Sequence, residues 1–149
     1  MNYHRVLTIQ DISCVGQCSM TVALPILSAC GQETAVLPSA VLSTHTGGFT
    51  GFTVRDLSDD FPGIQAHWQK ESIDFRAIYT GYLGSLRQID MVKDIFATMI
   101  EDGGLAIVDL PWEITVSCIL ALTRHTLMPW VHFAARRILS FPILRKPAI

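Results

Sequence analysis

Charge, paired cysteines and long apolar runs are scarce in this sequence, and each scarcity excludes a class of protein. Charged residues make up 16% of the 149, against 50% hydrophobic, a globular rather than a disordered composition. The net charge of −2 leaves no basic surplus, so no nucleic-acid partner is expected. No apolar run is long enough to span a membrane, and Met1–Arg5 lacks the apolar core of a signal peptide. The expectation is a cytoplasmic protein with no membrane partner. The four cysteines, Cys14, Cys18, Cys30 and Cys118, contain no close pair of the zinc-binding kind. They are expected to be buried and inert.

One further absence is local. Glycine occurs ten times before residue 105 and never in the last 38 residues. Charge breaks at the same place. Residues 1–111 carry 6 Lys/Arg against 12 Asp/Glu, a net of −6, whereas residues 112–149 carry 5 against 1, a net of +4. A chain of this length has room for one domain with a sizeable core, but its character changes near Pro111.

Ahead of that break, the most unusual stretch runs from Val41 to Phe52. Val41-Leu42-Ser43 suits a strand. Ser43, Thr44, His45 and Thr46 then offer hydroxyls and an imidazole, and Gly47, Gly48 and Gly51 interleave with Phe49 and Phe52. Each glycine costs regular structure about 1 kcal/mol, which a chain tolerates where backbone approaches a ligand or a loop closes. The lining suits a planar ring with polar edges. A surface turn with two tucked phenylalanines fits the composition equally well.

Strands and helices alternate around this stretch. Arg5–Ile9 reads as a strand with Asp11 at its carboxyl end, and Ser19–Ala29 as a helix closed by Gly31, which Pro25 either kinks or makes start late. Thr34–Leu37 reads as a strand ended by Pro38. Val54–Lys70 reads as an amphipathic helix with Arg55, Asp56, Asp59 and Asp60 on its solvated face. Phe75–Tyr79 is a third strand. Ser85 caps a helix through Ile100 whose inward face is Leu86, Ile89, Val92 or Lys93, Phe96 and Ile100. Asp102-Gly103-Gly104 makes a turn, and Leu105–Val108 is a fourth strand ending at Asp109. This alternation predicts an α/β fold, a parallel sheet with helices on both faces. Asp11, the 43–52 loop, Thr80–Tyr82 and Asp109 then fall at carboxyl ends of strands, where such folds bind ligands. Taken alone, Asp11 reads more readily as a turn or capping aspartate.

Val6-Leu7-Thr8-Ile9-Gln10-Asp11, Ser43-Thr44-His45-Thr46-Gly47, Tyr79-Thr80-Gly81-Tyr82 and Val108-Asp109 together resemble, in order and spacing, the pyridoxal kinases of the ribokinase-like superfamily. The resemblance covers roughly residues 4–111. It implies a three-layer, Rossmann-type sheet, here truncated, and transfer of the γ-phosphoryl of ATP to the 5′-hydroxyl of pyridoxal, pyridoxine or pyridoxamine, with Mg²⁺ as the metal. It implies that Asp11 and Thr46 bond the ring's polar edge, with Ser43 and Gly47 beside them and Tyr82 packing against the substrate. It places Asp109 near the ATP phosphates and Mg²⁺. Many members carry serine at the position of Asp11. The resemblance also implies a homodimer. The His45-Thr46-Gly47 and Tyr79-Thr80-Gly81-Tyr82 pieces speak against a sugar kinase of the same superfamily.

After Asp109 the resemblance stops. The family continues Asp-Pro-x-Met-Gly-Asp, whereas this chain reads Asp109-Leu110-Pro111-Trp112-Glu113-Ile114. Trp112 is TGG, Glu113 GAR and Ile114 ATH. Read one base earlier, with Pro111 ending in A, they give Met-Gly-Asp. The same frame through Phe141–Ala148 yields Leu-Pro-Asn-Leu-Thr-Glu-Ala, which resembles a later Pro-Asn-x-Thr-Glu motif of the family. One deleted C accounts for both. Residues 1–109 are therefore expected to be the amino-terminal part of a kinase domain, and 110–149 an out-of-frame tail. The rival is a membrane-surface or partner-binding segment at Leu127–Leu139, against which Pro129 argues. The family's catalytic aspartate, in a Gly-x-Gly-Asp turn, has no counterpart here, so no residue is assigned a catalytic role and the chain is expected to be inactive. The alternative is a non-catalytic pyridoxal-binding fragment, or half of a split kinase.

Overall fold

The structure, a computed structural model, describes residues 4–109. The tail expected to be out of frame, the Leu127–Leu139 alternative and Cys118 lie outside the described residues. Among the described residues five strands form one sheet in the order β3-β2-β1-β4-β5. β1 (Arg5–Ser13) lies at its centre, parallel to β2 (Glu33–Leu42) on one side and β4 (Phe75–Thr80) on the other. β5 (Ile100–Val108) continues the parallel order beyond β4. β3 (Val54–Asp56) pairs antiparallel with the end of β2. The sheet is thus mixed, with helices α1 (Met20–Ala29), α2 (Phe61–Lys70) and α3 (Leu86–Met99) around it.

The connections decide which face each helix takes. From β1 the chain passes through α1 to β2 on one side. From β2 and β3 it returns through α2 past β1 to β4. Right-handed crossovers in opposite directions put α1 on one face and α2 with α3 on the other. Accordingly α1 packs on β1 and β2, while α2 and α3 pack on each other. The core lies mainly on the α2/α3 side, where Leu7, Ile9, Leu37 and Ile78 of the sheet meet Phe61, Ile95 and Met99. Each such side chain contributes about 1.5–3 kcal/mol by leaving water. Trp68 closes one end of the layer edge-to-face on Phe75, with ring centroids 5.4 Å apart.

Several expectations are corrected by this arrangement. β1 runs on to Ser13, so Asp11 sits inside the strand rather than past its end. β2 runs straight through Pro38. The strand absorbs the proline because the register slips immediately after it: Ser39 and Ala40 occupy the interval that Asp11 alone spans on β1. The Val54–Lys70 helix is shorter than its pattern suggests. Val54–Asp56 is strand, Ser58–Asp60 a 3-10 turn, and the helix begins at Phe61. Pro62 explains the start, since proline is favoured in a first turn, where its missing N–H has no partner to lose. On α3 the buried positions are Gln88, Ile89, Val92, Ile95 and Met99, while Leu86 is 75% exposed. The inward face therefore lies a little further round the helix than the apolar pattern indicates. The Asp102–Gly104 turn lies within β5 as a bulge, with Gly103 at φ 72°. Cys14 and Cys30 are exposed and Cys18 is half-buried, so these thiols do not form part of the core.

Other expectations hold as read. Ser85 caps α3, its hydroxyl accepting the Gln88 N–H at 3.2 Å. Gly31, at φ 78°, follows α1 closely. Pro25 lies inside α1. Among the described residues no helix is long and apolar enough to cross a membrane.

Candidate functional site

The carboxyl ends of β1, β2, β4 and β5 carry the polar segments singled out above, and backbone hydrogen bonds draw them together. After β1, Cys14 N–H donates to the Leu42 carbonyl (2.8 Å), and His45 N–H donates to the Val15 carbonyl (3.0 Å). After β4, Gly81 N–H donates to Ile9 (3.1 Å) and Asp109 N–H to Thr80 (2.9 Å). Each parallel strand end is thereby tied to a neighbour, as the sheet's topology requires.

The 43–53 segment is a loop with a closed neck. Ser43 N–H donates to the Thr53 carbonyl at 3.0 Å, and Thr53 N–H donates to Ser43 Oγ at 2.9 Å. Ser43 is therefore engaged in holding the loop. Within it, His45 Nδ1 accepts the Gly47 N–H at 3.0 Å, and Phe49 packs edge-to-face on the imidazole at 5.2 Å. An accepting Nδ1 bears no proton, which leaves Nε2 as the ring's N–H. Gly16, at φ 107°, lies so close that a Cβ there would fall on the His45 ring. Its glycine is required twice over, by backbone conformation and by space. Thr46 and Gly47 are exposed at the turn that His45 shapes.

Asp11 is only 5% exposed. Its Oδ2 accepts from Ser13 Oγ at 3.2 Å, and Ser13 Oγ in turn accepts from Cys18 Sγ at 3.5 Å. Two buried hydroxyls nearby in the fold, Thr44 Oγ1 and Thr80 Oγ1, have no hydrogen-bond partner among the described residues. Buried hydroxyls are rarely left so in a finished core. Both stand at strand ends, Thr44 after β2 and Thr80 closing β4.

A cleft of about 470 Å³ opens between α1 and the β4–β5 ends, lined among others by Gln10, Val22, Ile26, Tyr79, Tyr82 and Asp109. Tyr79 donates its hydroxyl to Asp109 Oδ2 at 3.2 Å. Burial raises the Tyr79 pKa above its usual value, and the Asp109 charge and hydrogen bond add to the rise. The phenol therefore stays a donor and holds one carboxylate oxygen of an otherwise exposed aspartate. The cleft brings Tyr82 and Asp109 together. Asp11, Ser43, Thr46 and Gly47 are at the adjoining strand ends and do not line it. Sequence reasoning passed over Gln10 and Tyr79 as site residues, although both lie inside the motifs that carry the resemblance.

Solved structures with this architecture share sequence with the chain as well. A Bacteroides thetaiotaomicron protein assigned to the phosphomethylpyrimidine kinases is 42% identical in a rhombohedral crystal form, with a TM-score of 0.70 over 73% of this chain and 38% of that one. This chain belongs to the ribokinase-like superfamily. An orthorhombic form of the same relative with pyridoxal gives 36% identity and a TM-score of 0.72 over 83% of this chain and 46% of that one. Pyridoxal kinase from Lactobacillus plantarum is 32% identical, with a TM-score of 0.64 over 72% of this chain and 37% of that one. These relatives lie in the pyridoxal and phosphomethylpyrimidine kinase branch of the superfamily, and the chain spans less than half the length of those three structures. No protein-family model matches it, and neither does any curated protein.

Proposed function

We propose that residues 1–109 are the substrate-binding part of an ATP-dependent kinase acting on the 5′-hydroxyl of pyridoxal, pyridoxine or pyridoxamine, and that the 149-residue chain alone is catalytically silent. The observation that carries this reading is that the His45-Thr46-Gly47 turn, the Gly81-Tyr82 segment and Asp109 all follow carboxyl ends of strands in one parallel sheet, the last two lining one cleft. The relative crystallised with pyridoxal supports it. In this reading Thr46 and the Gly47 backbone bond the ring edge, Asp11 accepts from a ring donor, Ser43 keeps the loop closed, and Tyr82 covers the ring.

Asp109 suits the Mg²⁺ that accompanies ATP phosphates. It offers a hard carboxylate oxygen, the second being held by Tyr79, and Mg²⁺ characteristically takes one or two carboxylates with the rest of its shell from phosphate and water. When bound, the ion supplies neutralisation of phosphate charge. What this chain lacks is a counterpart to the family's glycine-rich turn and general base, which activate the hydroxyl and stabilise developing charge. Residues 110–149, in this proposal, are read out of frame. Resequencing codons 105–150 from an independent template should restore a C ahead of codon 111 if the shift is an error, and should find it absent if the gene itself is disrupted.

The test of function is direct. Purified chain with pyridoxal, ATP and Mg²⁺ should form no pyridoxal 5′-phosphate, while equilibrium dialysis should show that the chain binds pyridoxal. Thr46→Ala and Tyr82→Ala should each weaken that binding about tenfold, roughly the worth of one net contact. Phosphate transfer by the chain would overturn the silent reading, and absence of any pyridoxal binding would overturn the site. A second reading, a pyrimidine substrate, has the assignment of the Bacteroides relative in its favour. Displacement of bound pyridoxal by a hydroxymethylpyrimidine would favour it.

A further inference from the structure

The turn that presents Thr46 and Gly47 has little to hold its shape. Gly47-Gly48 has no conformational preference of its own, and Gly48 sits at φ 83°. Among the described residues, the backbones of Thr46, Gly47 and Gly48 make one hydrogen bond between them, from Gly47 N–H to His45 Nδ1 at 3.0 Å. A side-chain acceptor two residues back along the chain does here what asparagine does in an Asx turn. The imidazole that supplies it is itself clamped. His45 N–H donates to the Val15 carbonyl at 3.0 Å, the Cδ2 edge of the ring lies against Gly16, and Phe49 packs on it edge-to-face. The ring thus ties the turn to the segment that follows β1. Two N–H groups cannot bond to each other, so the tie exists only while Nδ1 is unprotonated.

We infer that His45 is a positioning residue: its neutral, Nε2-protonated imidazole holds Thr46 and Gly47 in place for ligand, and a second proton on the ring releases them. This rests on the proposed pyridoxal site for the identity of the ligand alone. Nothing packed on the ring offsets that second proton. The 14–18 segment contributes only the Cys14 and Cys18 thiols as titratable groups, the 43–53 loop none besides His45, and α1, which follows, no charged residue. Asp11 accepts from Ser13, and no carboxylate among the described residues pairs with the ring. An imidazolium at this position loses the Gly47 bond and gains no ion pair. Affinity that depends on the turn is therefore present at alkaline pH and is lost as pH falls through the range in which imidazoles titrate, about pH 8 to 5.

Asparagine separates the acceptor from the proton. In His45→Asn the side-chain Oδ1 can take the Gly47 N–H and does not titrate, whereas His45→Ala has no acceptor. Equilibrium dialysis of the full 149-residue chain with pyridoxal tests the difference. Between pH 8 and 5 the wild type should lose about fivefold more affinity than His45→Asn, the worth of one net hydrogen bond. The ligand's own titration is common to both and cancels. His45→Ala should bind more weakly than His45→Asn at pH 8 and share its pH profile. In the free wild-type chain, ¹⁵N NMR should find Nδ1 unprotonated at pH 8 and the Gly47 amide shift following the titration of the ring. A proton on Nδ1, a Gly47 amide indifferent to that titration, or equal pH profiles for wild type and His45→Asn would each overturn the inference. If no pyridoxal binds, the proposed substrate falls and the wild-type Gly47 amide decides the positioning by itself. The same amide decides if circular dichroism shows that His45→Asn does not fold.

Discussion

The two faces of the sheet end in opposite ways at the site. On the α2/α3 side, Gln88 closes the layer. Its side chain is buried, accepts the Gly84 N–H at 2.7 Å, and donates to the Ser39 carbonyl at 3.2 Å, Ser58 Oγ at 2.9 Å and Asp56 Oδ1 at 3.3 Å. Asp56 also takes both the backbone N–H and the hydroxyl of Ser58. One amide thus fastens β2, β3, the 3-10 turn and the loop after β4. On the α1 side the corresponding end is an open cleft with Tyr79, Tyr82 and Asp109 along it. The difference teaches how such a fold divides labour. A network in which the amide's hydrogen-bonding capacity is used holds the strand ends rigid, so that side chains on the opposite face can be left for ligand.

Breaking the closed side should have the largest effect. Gln88→Leu keeps the volume but strands the Gly84 N–H and the Ser39 carbonyl, at a cost of about 2–4 kcal/mol. Urea denaturation should show it as a lower midpoint, and a loss below about 1 kcal/mol would mean that the network is not the fastener. Next comes the His45 turn. Gly16→Ala adds a Cβ that collides with a packed ring and demands an unfavourable positive φ, for about 1–3 kcal/mol. Gly81→Ala should cost less. Its Cβ meets the end of Gln10, with Oε1 at 2.6 Å, but the position needs no positive φ, and Gln10 borders the cleft and can shift into it at the cost of its bond to Thr8. If the two glycine variants lose equal stability, the His45 packing is not the constraint.

Two smaller predictions concern protons. Hydrogen bonds from the Ser58 hydroxyl and backbone, then from Gln88, with the Arg87 charge, hold the Asp56 pKa below its ordinary 3.8 despite some opposing burial. A carboxylate with a depressed folded-state pKa adds stability that is complete above the unfolded value and is lost as pH falls through the folded one. Acid unfolding of the wild type below about pH 4 should therefore be steeper than that of Asp56→Asn, and identical acid limbs would refute the assignment. On the open side, ultraviolet titration should find one tyrosinate forming above the ordinary value of 10.0. Asp109→Asn should lower that pKa only part of the way, since burial of Tyr79 is the larger cause. A complete return would make the carboxylate the dominant cause instead.

The contrast between the two faces also marks how far the sequence could be read. The β1, β4 and α3 segments and the Ser85 cap were legible because each is a local pattern: an apolar run, an apolar period, a serine ahead of a helix. The gathering of Asp11, the 43–52 loop, Thr80–Tyr82 and Asp109 toward one end of the sheet was legible too, since parallel strands put all their carboxyl ends together. β3 was not legible. Val54-Arg55-Asp56 continues the helical spacing of Leu57, Phe61 and Ile64, and only its partner Ala40-Val41-Leu42 makes it a strand. Gln88 reads as an ordinary polar helix position until Ser39, 49 residues away, is brought against it. The Tyr79–Asp109 pair, 30 residues apart, was hidden in the same way.

What the sequence determined by itself is the alternation of elements and the chemistry offered at their ends, because backbone propensity and side-chain period act between near neighbours. Only the tertiary structure decided which of those groups are used up in holding the fold and which are left over. Ser43 closes a loop neck, Tyr79 grips Asp109, and β5 is the outermost parallel strand among the described residues. Hydrogen-bond capacity and burial belong to pairs of residues, and the partners here are chosen by strand order and crossover hand rather than by adjacency along the chain.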